Sequence, residues 1–410
     1  PIVNPTWIST VSAWGFLMSA AFTQDINPLV AEISSGGLPG AANGQADRAA
    51  LAALCRASLT GEIAGTQFAL CGERAARLAA LAMRARMTMP CARAFAAASL
   101  PMPAPLAKGV DQTRARAAIS NGRVMALARI AFPVLARARI PALAFKGPFQ
   151  HRQLHGDAFF CRSGDLDLLV AREDFDAALA AFAAEGFAPR EDTSAWWRMM
   201  LGEVHLVHPE GGVIDLHHRL QQPGCPPPRD IRAFLGASRT ETVGGVEIAV
   251  PTHAQAVLIA ALNFTKEFAH RRPSARYAYD VAAGILAMGE ARRRAFVALA
   301  EDQRLEGTVG LAAALCERIF AITLPLAAPL AKAALPGWAD RDALLAMAFD
   351  PDASATVWPR RRAVLWALCS RGEGRSGGTR RASEFSREAA RMFASEALRR
   401  AVPAGSGAGE

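Results

Sequence analysis

The chain has 410 residues, enough for about two or three domains, and 51% of its residues are apolar against 20% charged. That balance excludes wholesale disorder and predicts a sizeable buried core. The net charge is +9, and only four of the 46 basic residues are lysines. The arginine excess is compatible with anionic partners, but it runs through the whole sequence and does not by itself indicate nucleic-acid binding.

The cysteines and the N-terminal segment bear on the cellular compartment. Seven cysteines form no C-x-x-C pair and lie mostly in apolar helical stretches, which predicts free thiols in a reducing cytoplasm. Residues 1–24 carry no charge, but they lack the basic start of a signal peptide and are interrupted by Ser, Thr and Gly. We expect a packed helix there and no membrane span in the chain; a membrane or partner contact and a targeting segment remain as alternatives.

The predicted elements begin with helices. Residues 45–98 are rich in Ala, Leu and Arg with helical spacing, and a proline-rich break at 99–109 precedes a helix at 112–138. Two short apolar runs, 140–145 and 165–170, are typical of buried strands. An amphipathic helix follows the second run and ends at Gly186.

The second half of the chain adds hairpins and then helices. Residues 203–220 form the clearest hairpin pattern, because two alternating runs flank a Pro-Glu-Gly-Gly turn. A weaker hairpin is predicted at 241–250, and the segments from 252 to about 345 are helical. We therefore predict an α+β fold with a small mixed sheet. The expected regions are a helical N-terminal region (1–110), an α/β core (111–250), a helical C-terminal domain (251–370), and a basic linker, last helix and flexible tail (371–410).

Two aspartates lie in the second predicted strand. Asp165 and Asp167 are two positions apart, so their side chains point to the same face while leucines take the other. Carboxylates this close need a cation between them or a raised pKa, and Mg²⁺, with Mn²⁺ as the alternative, suits such oxygen ligands. The alternative is that one Asp in a strand is usually a surface or turn residue, and that a lone Asp-x-Asp is common by chance. Asp215, in the second arm of the hairpin, is also flanked by apolar residues, and it would complete a three-carboxylate metal site if that arm lies beside residues 165–170.

A phosphate-binding turn is predicted just upstream. Lys146 and Gly147 end a strand and open a short helix, with Pro148 at a favourable first position. Helix starts attract phosphate, and glycine permits a close approach. Lys146 is a rare lysine in an arginine-rich chain, and Arg162 could reach the same triphosphate. The alternative is an ordinary lysine at a strand end.

These residues together resemble a known family. The segment ALAFKGPFQHRQLHGDAFFCRSGDLDLLVAREDFDAALAAFAAEGF, followed by GGVIDLHHRL, is similar to the uncharacterised nucleotidyltransferase family of the polymerase-β superfamily. The resemblance implies a small mixed sheet with helices on one side that binds Mg²⁺ and a nucleoside triphosphate. The matching positions are Asp165, Asp167 and Asp215 as the metal-binding carboxylates, Gly147 with Lys146 at the phosphate turn, Arg162, His217, and the recurring Asp280.

Three positions depart from the family pattern. Pro148 follows the turn glycine where the wider superfamily has Gly or Ser, and it removes one N–H from the phosphate cradle. Asn263 and Glu267 stand where the family tends to show histidines. These departures concern the acceptor site more than the metal site.

We expect a Mg²⁺-dependent nucleotidyltransferase that uses an NTP, with ATP as the expected donor. The acceptor is a hydroxyl of a small molecule, sugar or peptide. Asp165 and Asp167 would hold metals, and Asp215 would hold the second metal and orient or deprotonate the acceptor. Lys146, Gly147 and Arg162 would bind the triphosphate, with His217 touching a phosphate or the acceptor. The alternatives are a kinase-like phosphotransferase using ATP at the same site, and a non-catalytic nucleotide- or RNA-binding module; RNA is the less favoured partner.

Overall fold

The computed structural model describes residues 41–62, 70–190, 201–208, 211–221, 226–270, 272–326 and 339–351, with isolated residues between and after these ranges. The chain divides into a unit of residues 1–44 and a unit of residues 45–410, and the geometry given below belongs to the second. The predicted helix at 1–24 and, apart from isolated positions, the predicted linker, last helix and tail at 371–410 lie outside the described residues.

Among the described residues, four helices precede the sheet. The last of them begins at Ala104, earlier than the predicted residue 112, because Pro103 and Pro105 flank its first turn, where proline costs no hydrogen bond. This long helix packs into the cores on both sides of the sheet. The helices are α1 (Ala41–Thr60), α2 (Gly72–Arg84), α3 (Thr88–Ala97) and α4 (Ala104–Arg137).

A five-stranded mixed sheet forms the centre of the molecule, as the α+β prediction requires. Its strands lie in the order β1-β2-β5-β4-β3; β2 and β5 are parallel, and the other neighbours are antiparallel. The hairpin predicted at 203–220 is confirmed as β4 and β5. The elements of this region are β1 (Ala142–Ala144), α5 (Gly147–His155), β2 (Leu166–Val170), α6 (Phe175–Ala184), β3 (Ala188–Pro189), β4 (Glu203–Val207) and β5 (Val213–His217).

The two faces of the sheet differ in chemistry. Leu166 and Leu168 of β2 and Leu216 of β5 point to one face, where they join an apolar cluster with α4 and α6. Because side chains alternate along a strand, Asp167 and Asp215 point to the other face. The acidic residues therefore lie on one face of the sheet, and the opposite face is packed in the apolar core.

The remaining described elements are one short hairpin and a set of helices. The weaker hairpin predicted at 241–250 is confirmed as a separate two-stranded sheet. A capping box between Thr252 and Gln255 starts the helix that crosses the acidic face. The elements are α7 (Ile231–Gly236), β6 (Arg239–Val243), β7 (Val246–Val250), α8 (His253–Ala269), α9 (Ala275–Leu286), α10 (Glu290–Asp302), α11 (Glu306–Phe320) and α12 (Arg341–Phe349).

One apolar core joins the N-terminal and C-terminal helices. It contains Leu51 and Phe95 from the first helices, Phe145 beside the sheet, and Phe264 and Phe320 from the last ones. The division into regions at 110, 250 and 370 stays a prediction. Among the described residues, α4 is the one helix long and apolar enough to cross a membrane, but its buried residues pack into both protein cores.

Candidate active site

Two carboxylates meet where β2 and β5 pair in parallel. Asp167 stands directly opposite Asp215 in the register, with the leucine and isoleucine pairs on either side facing the apolar core. Both aspartates are buried, with 9% and 8% of their surface exposed. Buried carboxylates need partners, and each of these has a cation of the chain within contact distance.

Asp165 lies just before β2, which begins at Leu166, rather than inside the strand. Burial, together with the nearby charges of Asp167 and Asp215, raises the pKa of its carboxyl to about 7. A carboxyl is destabilised in its ionised form by desolvation and like charge. The structure therefore brings the three predicted aspartates into one electrostatic cluster.

Lys146 holds the first carboxylate. Its Nζ donates to Asp167 Oδ1 at 2.6 Å and lies 4.8 Å from the centre of the Phe145 ring. Burial lowers the pKa of Lys146, but the Asp167 carboxylate outweighs it and leaves that pKa above its usual value. Burial also raises the pKa of Asp167, yet Lys146 and His217 hold it below its usual range. Both groups are therefore charged near neutral pH.

Gly147 begins α5 with a left-handed backbone, φ +64°. A Cβ at this position would lie 2.9 Å from Ser163 Oγ, so the glycine satisfies both a backbone and a contact requirement. Ser163 belongs to the loop that carries Arg162, and Asn121 of α4 holds this loop by accepting from Ser163 N–H at 2.8 Å. The turn and the arginine loop are thus packed against each other.

Glu203 and His205 of β4 are members of the cluster that the sequence analysis missed. His205 stands opposite Asp215 in the hairpin, and its Nδ1 lies 2.5 Å from Asp215 Oδ1. Hydrogen bonds with Asp215 and Glu203 raise the pKa of His205 to about 10. Strand alternation over 203–207, combined with the hairpin register, was the signal that could have found both residues.

His217 shares the acidic face with Asp215, as predicted, and stands opposite Glu203. Its Nε2 is buried and lies 3.3 Å from Asp167 Oδ1, but it makes no well-aligned hydrogen bond within the described residues. A buried ring nitrogen without a partner is unusual. His218 points the other way and packs edge-on against Phe175 at 4.8 Å.

The donor set fits a divalent metal. Ligand atoms of Asp167, Asp215 and His217 lie within 4.8 Å of one another, and so do those of Glu203, His205 and Asp215. Carboxylate oxygens suit Mg²⁺, and a mixed oxygen and imidazole set also suits Mn²⁺. The buried Nε2 of His217, which has no well-aligned hydrogen bond within the described residues, is an atom that a bound cation would satisfy.

A cavity of about 500 Å³ opens over this cluster. That volume falls within the range of small-molecule sites. Both acidic and basic side chains line it, so the lining offers ligands for cations and donors for anions. The acidic members are Asp165, Asp167, Glu203 and Asp215, and the basic members are Arg86, Lys146, Arg162, Arg219, Lys266, Arg272 and Arg276.

A buried network of ion pairs holds Arg276, which lines the cavity. Asp280 Oδ2 accepts from Arg276 Nη1 at 2.9 Å, and Asp280 Oδ1 lies 2.7 Å from His155 Nε2. Burial raises the pKa of Asp280, but Arg276 and His155 hold it below its usual value. His151 and His155, whose spacing resembles a zinc pair, instead face Arg276 and Asp280, respectively.

The two family departures on α8 also lie at the cavity or beside it. Asn263 lines the cavity and is 3% exposed. Glu267 is flanked by Lys266, 3.4 Å away, and by Arg272, 3.8 Å away. Where the family tends to have histidines, this chain therefore has a neutral amide and an acid that is paired with two cations.

The comparisons with known proteins agree with this geometry. A family model described as an uncharacterised nucleotidyltransferase matches residues 72–321 of the chain. Searches of curated proteins and of solved structures found no significant match.

Proposed function

The chain belongs to the uncharacterised nucleotidyltransferase family, and from that premise we propose a Mg²⁺-dependent transfer of a nucleotidyl group from ATP to an acceptor hydroxyl. The supporting observation is the pairing of Asp167 with Asp215 across two parallel strands, beside the Lys146–Gly147 turn. Two carboxylates and a phosphate turn in one cavity are the parts that in-line displacement at phosphorus requires.

Each predicted residue has a role consistent with its position. Asp165 and Asp167 hold two metal ions and Asp215 is a ligand of the second, with His217 as a further ligand at the same cluster. A bound Mg²⁺ supplies charge neutralisation for the triphosphate and the transition state. Gly147 allows the phosphates to approach the start of α5.

The basic groups bind the polyphosphate. Lys146 Nζ has three donors, of which Asp167 takes one, so it can also contact a phosphate oxygen. Arg162 is exposed at the cavity wall and offers a planar two-pronged donor. Pro148 removes one backbone N–H, and Arg162 can supply a donor in its place.

The reaction forms one bond and breaks one. The acceptor oxygen bonds to the α-phosphorus, the bond from that phosphorus to the β-phosphate oxygen breaks, and pyrophosphate leaves. Asp215 receives the acceptor proton in this proposal, because its carboxylate lies in the cluster and is buried.

The same site also fits phosphoryl transfer. A shift of the triphosphate by two phosphates would place the γ-phosphorus over the carboxylates, and the products would then be ADP and a phosphorylated acceptor. The described cysteines are free thiols, which supports a further proposal that the protein works in the reducing cytoplasm.

Two labels on ATP test the proposal. The full chain is incubated with Mg²⁺, a metabolite and peptide extract of the source cell, and ATP labelled at either the α- or the γ-phosphate. We expect acceptor labelling from α-labelled ATP and release of labelled pyrophosphate from γ-labelled ATP.

A site variant and a matched control variant complete the experiment, and two results would contradict nucleotidyl transfer. The Asp167→Asn variant should transfer label at least about a hundredfold more slowly, whereas Asp176→Asn, a change of an exposed carboxylate on α6, should behave as wild type. Labelling of an acceptor from the γ-phosphate alone would establish the phosphotransferase. Saturable nucleotide binding without any transfer would favour the binding module.

A further inference from the structure

The cavity has more positive charge than the donor nucleotide needs. Seven basic against four acidic side chains line it, a net +3, and counting Glu267 and Asp280, which pair with cavity cations, still leaves +1. Two Mg²⁺ ions and the roughly four negative charges of a triphosphate cancel one another. The excess therefore favours a further anion in the same cavity.

Four of the cations come from helices outside the sheet, and we call them the basic wall. Lys266 lies near the end of α8, Arg272 follows α8, Arg276 lies in the first turns of α9, and Arg86 follows α2. The donor site, by contrast, is built on β2, α5 and the loop of Arg162. The basic wall thus belongs to a different part of the fold.

The turn of Arg86 is held to the α8–α9 connection through α12. Arg84 Nη2, at the end of α2, lies 3.8 Å from Asp350 Oδ2, the residue that follows α12. Ala348 O, in the last turn of α12, accepts from Ser274 N–H at 2.9 Å. These two contacts connect the turn that carries Arg86, through α12, to the residues just before α9, which carries Arg276.

Arg276 is the fixed member of the basic wall. Its side chain is 9% exposed, and Asp280 holds Nη1 at 2.9 Å. Its buried Nε has no hydrogen-bond partner among the described residues. A buried guanidinium that is held on one side and lines a cavity on the other is prepared to bind an anion without reordering.

Arg86 is the exposed member, and its backbone is unusual. It has φ +58° at the end of α2, a position where glycine is favoured. Its side chain lines the cavity and makes no hydrogen bond or ion pair within the described part of the chain. Arg139 has the same conformation, φ +56°, after α4, is exposed as well, and does not line the cavity.

We propose that the basic wall binds a phosphate or carboxylate group of the acceptor, with Arg276 as the buried, fixed donor and Arg86 as the exposed one. The inference rests on the proposed function, because it assigns the triphosphate to the donor site. It narrows the acceptor to a molecule that carries both a hydroxyl and an anionic group.

The pair Arg86→Gly and Arg139→Gly tests this assignment. Each change replaces an arginine whose backbone is left-handed with glycine, which adopts that conformation without strain. Neither change should therefore lower the melting temperature. Each full-length protein is saturated with Mg²⁺ and a non-hydrolysable ATP analogue, and is then titrated calorimetrically with inorganic phosphate and, separately, with succinate.

We expect one of the two anions to bind the nucleotide-loaded wild type with saturation. Arg86→Gly should weaken that binding about tenfold, as the loss of one charge-assisted hydrogen bond does, and leave the affinity for the nucleotide analogue unchanged. Arg139→Gly should match wild type in both titrations. Tighter binding of phosphate identifies a phosphorylated acceptor, and tighter binding of succinate a carboxylate.

Two results would overturn the inference while leaving the proposed function intact. One is the absence of saturable anion binding to the nucleotide-loaded protein. The other is an Arg86→Gly variant that loses the nucleotide analogue as strongly as the anion, which would assign the basic wall to the triphosphate. If the wild type shows no metal-dependent binding of the analogue, the proposed function itself fails.

Discussion

At the scale of single residues, the site is defined by how each carboxylate is neutralised. Lys146 contacts Asp167 at 2.6 Å and His205 contacts Asp215 at 2.5 Å, whereas Asp165 has its pKa raised to about 7. Two carboxylates are therefore paired with cations of the chain, and the third, that of Asp165, is only about half ionised at pH 7. A bound divalent cation would add positive charge beside all three carboxylates.

Asp167→Asn should lower the transfer rate by on the order of 10²–10³-fold or more, because the amide is a poor ligand and carries no charge to balance Lys146. Steady-state rates of acceptor labelling measure the loss. The fold should survive, and circular dichroism checks that. An Asn variant that keeps more than a tenth of the wild-type rate would be incompatible with a metal role for this residue.

Affinity for Mg²⁺ should rise about tenfold between pH 6 and pH 8. Asp165 has a pKa of about 7, so its carboxyl is mostly protonated at the lower pH and ionised at the higher one. A metal that needs the ionised form binds better once the proton has left. Calorimetric titrations across this range measure the slope, and Asp165→Asn should flatten it; an equally steep slope in that variant would assign the proton to another group.

Gly147→Ala should destabilise the protein more than Gly156→Ala does. Both glycines have left-handed backbones, φ +64° and φ +69°, at opposite ends of α5, but only at Gly147 would a Cβ meet a neighbour, Ser163 Oγ at 2.9 Å. Gly156→Ala should cost about 1 kcal/mol for the backbone alone. Urea unfolding of both variants measures the difference, and equal losses would show that Ser163 gives way freely.

At the scale of elements, α5 and α9 hold the cavity through one buried network. Asp280 lies one turn after Arg276 on α9 and reaches His155 at the end of α5, and the side chains of Asp280 and His155 are almost fully buried. Buried ion pairs are costly to desolvate, so they are weak evidence of stability by themselves. Their effect here is to fix the direction of Arg276.

Asp280→Asn should destabilise the fold by about 3 kcal/mol, because it leaves the buried Arg276 cation without its charged partner. The double variant Asp280→Asn/Arg276→Met should be more stable than Asp280→Asn alone, since it removes the unpaired charge. Urea unfolding of the four proteins in this cycle gives the coupling. Additive losses would mean that the two residues do not act as a pair.

Element-scale prediction from sequence worked where periodicity was unambiguous. The apolar flanks of Asp167 and Asp215 set both carboxylates on one face, and the structure pairs them. Glu203 and His205 were missed because polar residues at alternate positions of a hairpin strand are equally typical of a solvent-exposed face. Arg86 could not be found in this way, because its place depends on how α2 and α12 pack, and local sequence does not encode that.

At the scale of the whole molecule, buried neutral histidines shape the response to acid. Burial lowers the pKa of His151 to about 3 and of His218 to about 4, and it also lowers the pKa of His155. A lowered histidine pKa gives stability that is complete above pH 6.5 and is lost as the pH falls toward the folded-state value. Between pH 7 and pH 4 the raised pKa of Asp165 makes the free energy of unfolding increase as the pH falls, which opposes the effect of the histidines. Asp165 is a single group, however, whereas three histidines act in the other direction.

The free energy of unfolding should therefore fall as the pH drops from 6.5 to 4.5. His218→Gln should reduce that slope by up to about 1.4 kcal/mol per pH unit, the effect of one proton. His218 packs against Phe175 on the apolar side of the sheet, away from the cavity, so the change leaves the site intact. Urea titrations at several pH values measure the slope; a slope unchanged by the substitution would locate the effect in the other histidines.

Whole-molecule architecture was predictable only in outline. The α+β class followed from hairpins set between helical blocks, and the structure confirms it. The core shared by described helices that precede and follow the sheet was not predicted, because apolar helices give no signal of which partner they will cover. The cavity is formed by that packing, so its basic lining could be identified only in the structure and not in the sequence.

The most direct test of the central claim is an anomalous difference map from crystals grown with Mn²⁺ and a non-hydrolysable ATP analogue. We expect a manganese peak between the carboxylates of Asp167 and Asp215, at about 2.2 Å from an oxygen of each, in contact with the triphosphate. A manganese ion bound elsewhere, with these two carboxylates still paired only to Lys146 and His205, would contradict it.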